Sequence, residues 1–201
     1  MFNAIVLAAG RSERMGERNK LTLNLNEGTI ISTVIRQLKK SQVGKIIVVV
    51  GHEHKDVTEA LKGMSDLQIV YNARYKKGQM TSIKAGLSGI DSRCEGFLVC
   101  LGDMPSITGT EYDLMMNEYR SINSNVSHPI TRPVYRDNIG HPVIFHSIYK
   151  NEILKAWHNA DCRQVIQQHK KNYHPVPVSS VNFFLDIDNE EEYNRLIQYT
   201  S

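Results

Sequence analysis

Two runs of aliphatic and β-branched residues constrain this chain more than anything else in it. "NAIVLAA" (3–9) and "KIIVVVG" (45–51) carry almost no polar interruption. A strand with one face in water would alternate, so these read as strands buried on both faces. Between them, "TIISTVIRQLKKS" (29–41) places Ile30, Ile31, Val34, Ile35 and Leu38 at the spacing of one helix face. The rhythm continues with a helix over 54–64, a strand over 67–72 and a helix over 79–90 that starts after Gly78. A strand over 96–105, closed by Gly102 and Pro105, and a helix over 109–122 capped by Thr110 complete the first half. Three strands of the continuous apolar type, each followed by a helix, imply parallel βαβ units. The expected class is α/β: a three-layer αβα architecture around a mostly parallel, doubly wound sheet. Its binding crevice lies at the carboxyl ends of the strands, where Gly10–Lys20 and Gly102–Pro105 fall.

After residue 122 the pattern changes. Short strands or a hairpin are expected over 125–145, helices over 147–159 and 162–171, strands over 173–178 and 182–188, and a last helix from Glu190 to about Tyr199. No linker, repeat or biased segment interrupts the chain. The 201 residues therefore read as one domain, with a first half (about 1–122) that binds a ligand and a second (about 123–201) that covers one side of the crevice. The composition is ordinary for a globular protein, at 41% hydrophobic and 22% charged residues. A formal charge of +3 is too weak to argue for nucleic acid. No apolar stretch approaches the ~20 residues of a membrane span, and the N-terminus reads as strand, not as a leader, so a cytoplasmic protein is expected. The three cysteines, Cys94, Cys100 and Cys162, form no C-x-x-C and suggest neither a disulfide framework nor a zinc site.

Three stretches carry chemistry. Behind the first strand, Arg11 to Lys20 holds four cations and two acids, with Gly10 and Gly16 bracketing the first part. Five residues separate those glycines, so this is not the G-x-x-x-x-G-K-S/T phosphate loop, and the middle glycine of G-x-G-x-x-G is missing. A glycine-containing loop rich in Arg and Lys lets backbone N–H groups approach an anion that the cations neutralise. The same residues would also suit a solvated loop with its own charge pairs. In "LGDMP", Asp103 follows the end of a central strand, as a ligand for a hard cation or as a turn cap before Pro105. In "FFLDIDNEEEY", Asp186 and Asp188 would share one face of a strand, which costs free energy unless a cation or donors compensate. Alternatively, Asp188 caps the last helix with Glu191 behind it.

In order, "LAAGRSERMG…K", "GQMTSIKAG", "LGDMP", "GHPVIF" and "LDIDNEEEY" resemble the motifs of the MobA-like NTP transferases over nearly the whole chain. Within that family the resemblance is strongest to the molybdenum cofactor cytidylyltransferases. It implies a Rossmann-like nucleotidyltransferase fold. A loop of Leu7, Ala8, Ala9, Gly10, Arg11 and Ser12 would wrap a nucleoside triphosphate, with Arg14 and Lys20 on its phosphates. Gln79, Met80 and Ser82 would lie by the base and ribose. Asp103 would hold Mg2+, with Asp186 or Asp188 completing the metal site. Gly140, His141 and Pro142 would border an acceptor pocket. Two departures stand out. Lys20 lies four residues beyond Gly16, where the family advances three, so either the loop bulges or the role of its lysine is displaced. The family's acceptor-side G-D-x-G-A-R appears as residues 158–163, of which only Arg163 survives.

The resemblance implies an enzyme that moves a nucleotide onto the phosphate of a molybdopterin-type acceptor and releases pyrophosphate, with a molybdoenzyme as a further partner. The acceptor phosphate is ionised at pH 7, so positioning and charge neutralisation suffice. CTP is expected over GTP, because the Ala9 methyl takes space that the glycine of the GTP-using relatives leaves open. The alternatives are transfer to another phosphorylated acceptor, such as a sugar phosphate, and a non-catalytic nucleotide-binding delivery protein for a molybdoenzyme.

Overall fold

The structure is a computed structural model that describes residues 1–11, 19–90, 93–156 and 162–200. In chain order the strands are β1 (Phe2–Ala8), β2 (Asn24–Leu25), β3 (Gly28–Thr29), β4 (Val43–Val50), β5 (Leu67–Tyr71), β6 (Gly96–Leu101), β7 (Ile130–Tyr135), β8 (Asn138–Ile139), β9 (Val143–His146) and β10 (Tyr173–Pro177). The helices are α1 (Ile30–Lys39), α2 (His54–Ala60), α3 (Gln79–Leu87), α4 (Gly109–Asn123), α5 (Lys150–Lys155), α6 (Cys162–Gln168) and α7 (Glu190–Thr200). No helix among the described residues is long and apolar enough to cross a membrane.

The main sheet runs β10-β7-β9-β6-β1-β4-β5, with β8 paired to β7. β1 is parallel to β4 on one side and to β6 on the other; Ile5 sits opposite Ile47 and Val99. β9 is antiparallel to both β6 and β7, which makes the sheet mixed beyond β6. The chain leaves β1 through α1 to β4 and through α2 to β5, then crosses by α3 back to the other side of β1 at β6. That reversal is the topological switch point at which open α/β sheets bind ligands.

Burial explains the unbroken apolar runs. Successive strand side chains point to opposite faces. Ala4, Val6 and Ala8 therefore join a core with α1, α2 and α4. Ile5 faces the other layer, against residues of α3, α5 and α6. Both faces being covered, neither can be polar. The close seating of α3 depends on Gly86, where a Cβ would lie 2.4 Å from Ile5 Cγ2 and 3.1 Å from Val49 Cγ2.

Three local expectations are corrected. α4 is capped by Thr108, not Thr110: its hydroxyl accepts from Glu111 N at 3.3 Å while Glu111 Oε2 accepts from Thr108 N at 2.7 Å. A glutamate at the third helical position selects the threonine three residues before it. The stretch 182–188 is no strand. Val181–Phe184 forms a 3-10 turn, its Ser180 cap and Asn182 both held by Glu111, and Ile187 N–H donates to Asp103 O at 3.1 Å. The segment thus crosses the strand ends instead of pairing along the sheet. The cap of α7 is Asn189, whose side chain accepts from Glu192 N at 2.9 Å, one position after Asp188.

Because Ile5 and Val49 are stiff at χ1 and fully enclosed, Gly86→Ala is expected to destabilise the fold by about 1–3 kcal/mol, the usual scale of overpacking. Urea denaturation monitored by circular dichroism measures it. An unchanged midpoint would mean that the helix can slide outward at no cost.

Candidate active site

The switch point opens into a cleft of about 550 Å³. At and beyond the end of β1, Leu7, Ala9, Gly10 and Arg11 line it; at and beyond the end of β6, Leu101 and Asp103 do; Gln79 and Ser82 come from the start of α3. Ala9 reaches the wall because Gly51, at the end of β4, has no side chain: a Cβ there would lie 2.8 Å from Ala9 Cβ and 2.8 Å from Tyr75 Cβ.

Lys20, at the start of a short 3-10 turn capped by Asn19, reaches across the floor of the cleft. Its Nζ lies 2.6 Å from Asp103 Oδ2 and 2.9 Å from Asp188 Oδ1. Burial alone would lower the affinity of this amine for its proton. The two carboxylates outweigh it and hold the ammonium above its usual pKa. Asp188 arrives because the bond from Ile187 N–H to Asp103 O stitches its segment to the end of β6.

Asp103 and Asp188 therefore converge on one point that holds a positive charge. Asp103 Oδ1 is buried and has no hydrogen-bond partner among the described residues. An acceptor oxygen left so is costly, and a hard cation would satisfy it. The donor set therefore fits a divalent ion, which these two carboxylates would hold. No group of three or more His, Cys, Asp or Glu side chains is gathered for a metal among the described residues. Asp186 does not line the cleft. Its carboxyl is held above the usual range by partial burial, then by the charges of Asp188 and Asp103.

A second cavity, of about 410 Å³, adjoins the first at Gln79. Arg132, His141 and Arg163 bring polar groups to it, and Val99, Ile139 and Val143 form apolar wall. Arg132 Nε donates to Gly140 O at 3.1 Å, and His141 Nδ1 lies 3.5 Å from Val99 O. Burial, then the Arg132 charge, pushes the His141 imidazole down to about 4, so the ring is neutral at pH 7.

The structure thus brings most of the sequence-expected residues to two adjoining cavities, with clear exceptions. Ala8 and Met80 are buried in the two core layers and line neither. Gly140 and Pro142 are buried behind His141 and frame the second cavity without lining it. Ser12 and Arg14 lie outside the described residues, as does the expected loop bulge. Sequence reasoning passed over Tyr75, Lys76 and Gly78, which also line the first cleft. The cationic run "RYKKG" between β5 and α3 was an available signal. It also missed Arg132, which nothing in its local sequence marks; only the place of β7 beside β9 brings it to the cavity.

Such a fold, with cationic and carboxylate groups gathered at the strand ends, has the charge arrangement that suits a phosphate-bearing ligand. The MobA-like NTP transferase domain matches residues 4–173, and the chain belongs to that family of nucleotidyltransferases. A molybdenum cofactor cytidylyltransferase of Escherichia coli is 26% identical over 192 residues, spanning 96% of this chain and 93% of that protein. A protein of Methanosarcina mazei named as a probable molybdenum cofactor guanylyltransferase is 28% identical over 155 residues, 76% of this chain and 65% of its own length. Among solved structures, a Mycobacterium tuberculosis protein in complex with manganese superposes with a TM-score of 0.77 at 20% identity, covering 98% of each chain.

The His141 imidazole generates a pH prediction. Between pH 6.5 and about 4 the unfolded chain takes up a proton at His141 that the folded chain does not, so the fold loses stability as pH falls through that window. An NMR titration of the His141 ring is expected to show a neutral imidazole down to about pH 4. Arg132→Met is expected to move the midpoint part of the way towards 6.5, since burial remains. A midpoint near 6.5 in the unmutated protein would contradict the enclosed placement of this ring.

Proposed function

We propose that this protein transfers CMP from CTP to the phosphate of a molybdopterin-type acceptor and releases pyrophosphate. The observation that carries the reading is the pair of cavities sharing Gln79, one with Lys20, Asp103 and Asp188, the other with Arg132, His141 and Arg163. Two anionic ligands can meet there. In the first, Arg11, Lys20 and Lys76 would face the triphosphate, with Arg14 assigned to it by family resemblance alone. Leu7, Ala9, Gly78, Gln79 and Ser82 would enclose base and ribose. In the second, the two arginines would hold the acceptor's anionic group. The apolar walls from Val99, Ile139 and Val143 suit a largely apolar or planar body better than a sugar.

An oxygen of the acceptor phosphate attacks the α-phosphorus in line. The bond from that phosphorus to the bridging oxygen breaks, and its electron pair leaves with pyrophosphate. No general base is needed, because the attacking oxygen is already ionised. The work of the protein is to align two anions and offset their repulsion. Asp103 and Asp188 would hold Mg2+, which when bound supplies positive charge to the phosphate oxygens. Lys20 supplies the charge that the departing pyrophosphate meets.

The deciding experiment is pyrophosphate release from CTP or GTP with Mg2+ and a molybdopterin acceptor, with a sugar phosphate as the competing substrate. Asp103→Asn keeps the shape but removes the charge, and is expected to reduce turnover about 10²-fold or more while the protein stays folded. Turnover near that of the unmutated protein would sink the metal assignment. Lack of turnover with every acceptor, alongside tight nucleotide binding, would favour a delivery role.

Base preference is tested by competition binding of the two nucleotides. The Ala9 methyl is in the cleft wall, and steric overlap by about one methyl costs ~1–3 kcal/mol. CTP is expected to bind roughly 5–150-fold more tightly than GTP, and Ala9→Gly to narrow the gap. Equal affinity in the unmutated protein would move base recognition away from Ala9.

A further inference from the structure

Asn72 follows β5 and is 5% exposed, a buried amide in the layer that supports α3. Its backbone N–H donates to Val50 O at 2.8 Å, closing the sheet edge. Its side-chain orientation is fixed by chemistry. Oδ1 accepts from the backbone N–H of Arg74 at 2.9 Å, and a main-chain N–H can only donate. The two amide protons on Nδ2 must therefore go the other way, to Thr81 Oγ1 at 2.9 Å and Ser82 Oγ at 3.0 Å.

Both hydroxyls thus receive a hydrogen bond, and each must place its own proton elsewhere. Thr81 has two carbonyls in reach, Gly78 O at 2.8 Å and Arg74 O at 3.0 Å. Ser82 differs. A serine inside a helix commonly donates back to the carbonyl four residues earlier, but its hydroxyl has no acceptor among the described residues. Ser82 lines the cleft and Thr81 does not. One side of the Ser82 oxygen is taken by Asn72, so its proton is left for the cleft.

We propose that Asn72 is a positioning residue that fixes the Ser82 hydroxyl as a hydrogen-bond donor towards the cleft, so that the site reads an acceptor atom on the bound base. Cytosine presents two such atoms side by side, O2 and N3. This deepens the nucleotide-binding reading of the same cleft and rests on it. The amide makes the serine a donor; a carboxylate in its place would make the serine donate away from the ligand.

The test is a double-mutant cycle by calorimetry with CTP and, separately, inorganic tripolyphosphate. In Asn72→Asp one carboxylate oxygen still serves Arg74 N–H, while the other can only accept, so Ser82 turns its proton out of the cleft. Asn72→Asp and Ser82→Ala are each expected to weaken CTP binding about tenfold to a hundredfold, the range for stranding a buried polar group. The double variant is expected to be no weaker than the worse single one. Tripolyphosphate, which has no base, should bind all the variants as it binds the unmutated protein. Thr81→Ala, which removes the other Asn72 partner, should leave CTP affinity unchanged.

The proposal is overturned if folded Asn72→Asp binds CTP normally, if the two substitutions add, or if tripolyphosphate is weakened as much as CTP. Should Asn72→Asp fail to fold, Ser82→Ala against Thr81→Ala decides alone, and equal effects overturn the assignment. A GTP preference in the unmutated protein would bring down the cytidylyl reading, and the same cycle run with GTP would still decide the role of Asn72.

Discussion

Parallel pairing at β1 is the constraint on which the rest of this molecule depends. A parallel neighbour can be reached only by a crossover that returns to the starting edge. The chain makes that crossing to β4 on one side of β1 and later to β6 on the other. Both strands therefore end beside β1 at the same edge of the sheet. The loops that follow have nowhere to go but around one crevice, and Ala9, Gly10 and Asp103 meet there although nearly a hundred residues separate them. Helices on both faces are the price of that arrangement, and the unbroken apolar runs are its signature in the sequence.

Electrostatics then organises the crevice. A lysine and two carboxylates drawn together out of water are stable only as a set. Lys20 is retained in its charged form by Asp103 and Asp188, and they in turn lie close because Lys20 is between them. The same three groups are what a triphosphate and a divalent ion would engage. The second cavity works differently. Its cations, Arg132 and Arg163, flank an imidazole that burial keeps neutral, so positive charge is confined to the guanidinium groups. The buried amide of Asn72 adds a third kind of control, the direction of a single hydroxyl proton.

Much of this was legible in the residues. The strands and helices of the first half follow from apolar period alone, because burial on both faces leaves a pattern that survives without knowledge of the neighbours. Asp103 was legible for the same reason: a carboxylate directly after a fully apolar strand has few places to be. The stretch 182–188 was not. Its alternation of Phe, Leu and Ile with Asp imitates a strand, but Glu111 and the end of β6 hold it as a turn and a crossing segment. Two carboxylates expected to act alike were thereby separated, Asp188 into the cleft and Asp186 outside its lining.

By itself, the sequence determined the α/β class, the edge of the sheet at which the cleft opens and the family to which the chain belongs, since these rest on local period and on motifs contiguous in the chain. Only the tertiary structure decided which carboxylate meets Lys20, that Met80 belongs to the core, that Arg132 joins Arg163 across the second cavity, and that Asn72 governs Ser82. Each of those depends on contacts between segments far apart in the chain or on the direction of a side chain within a packed layer. Side-chain period reports which face is buried; it carries no information about which partner is waiting there.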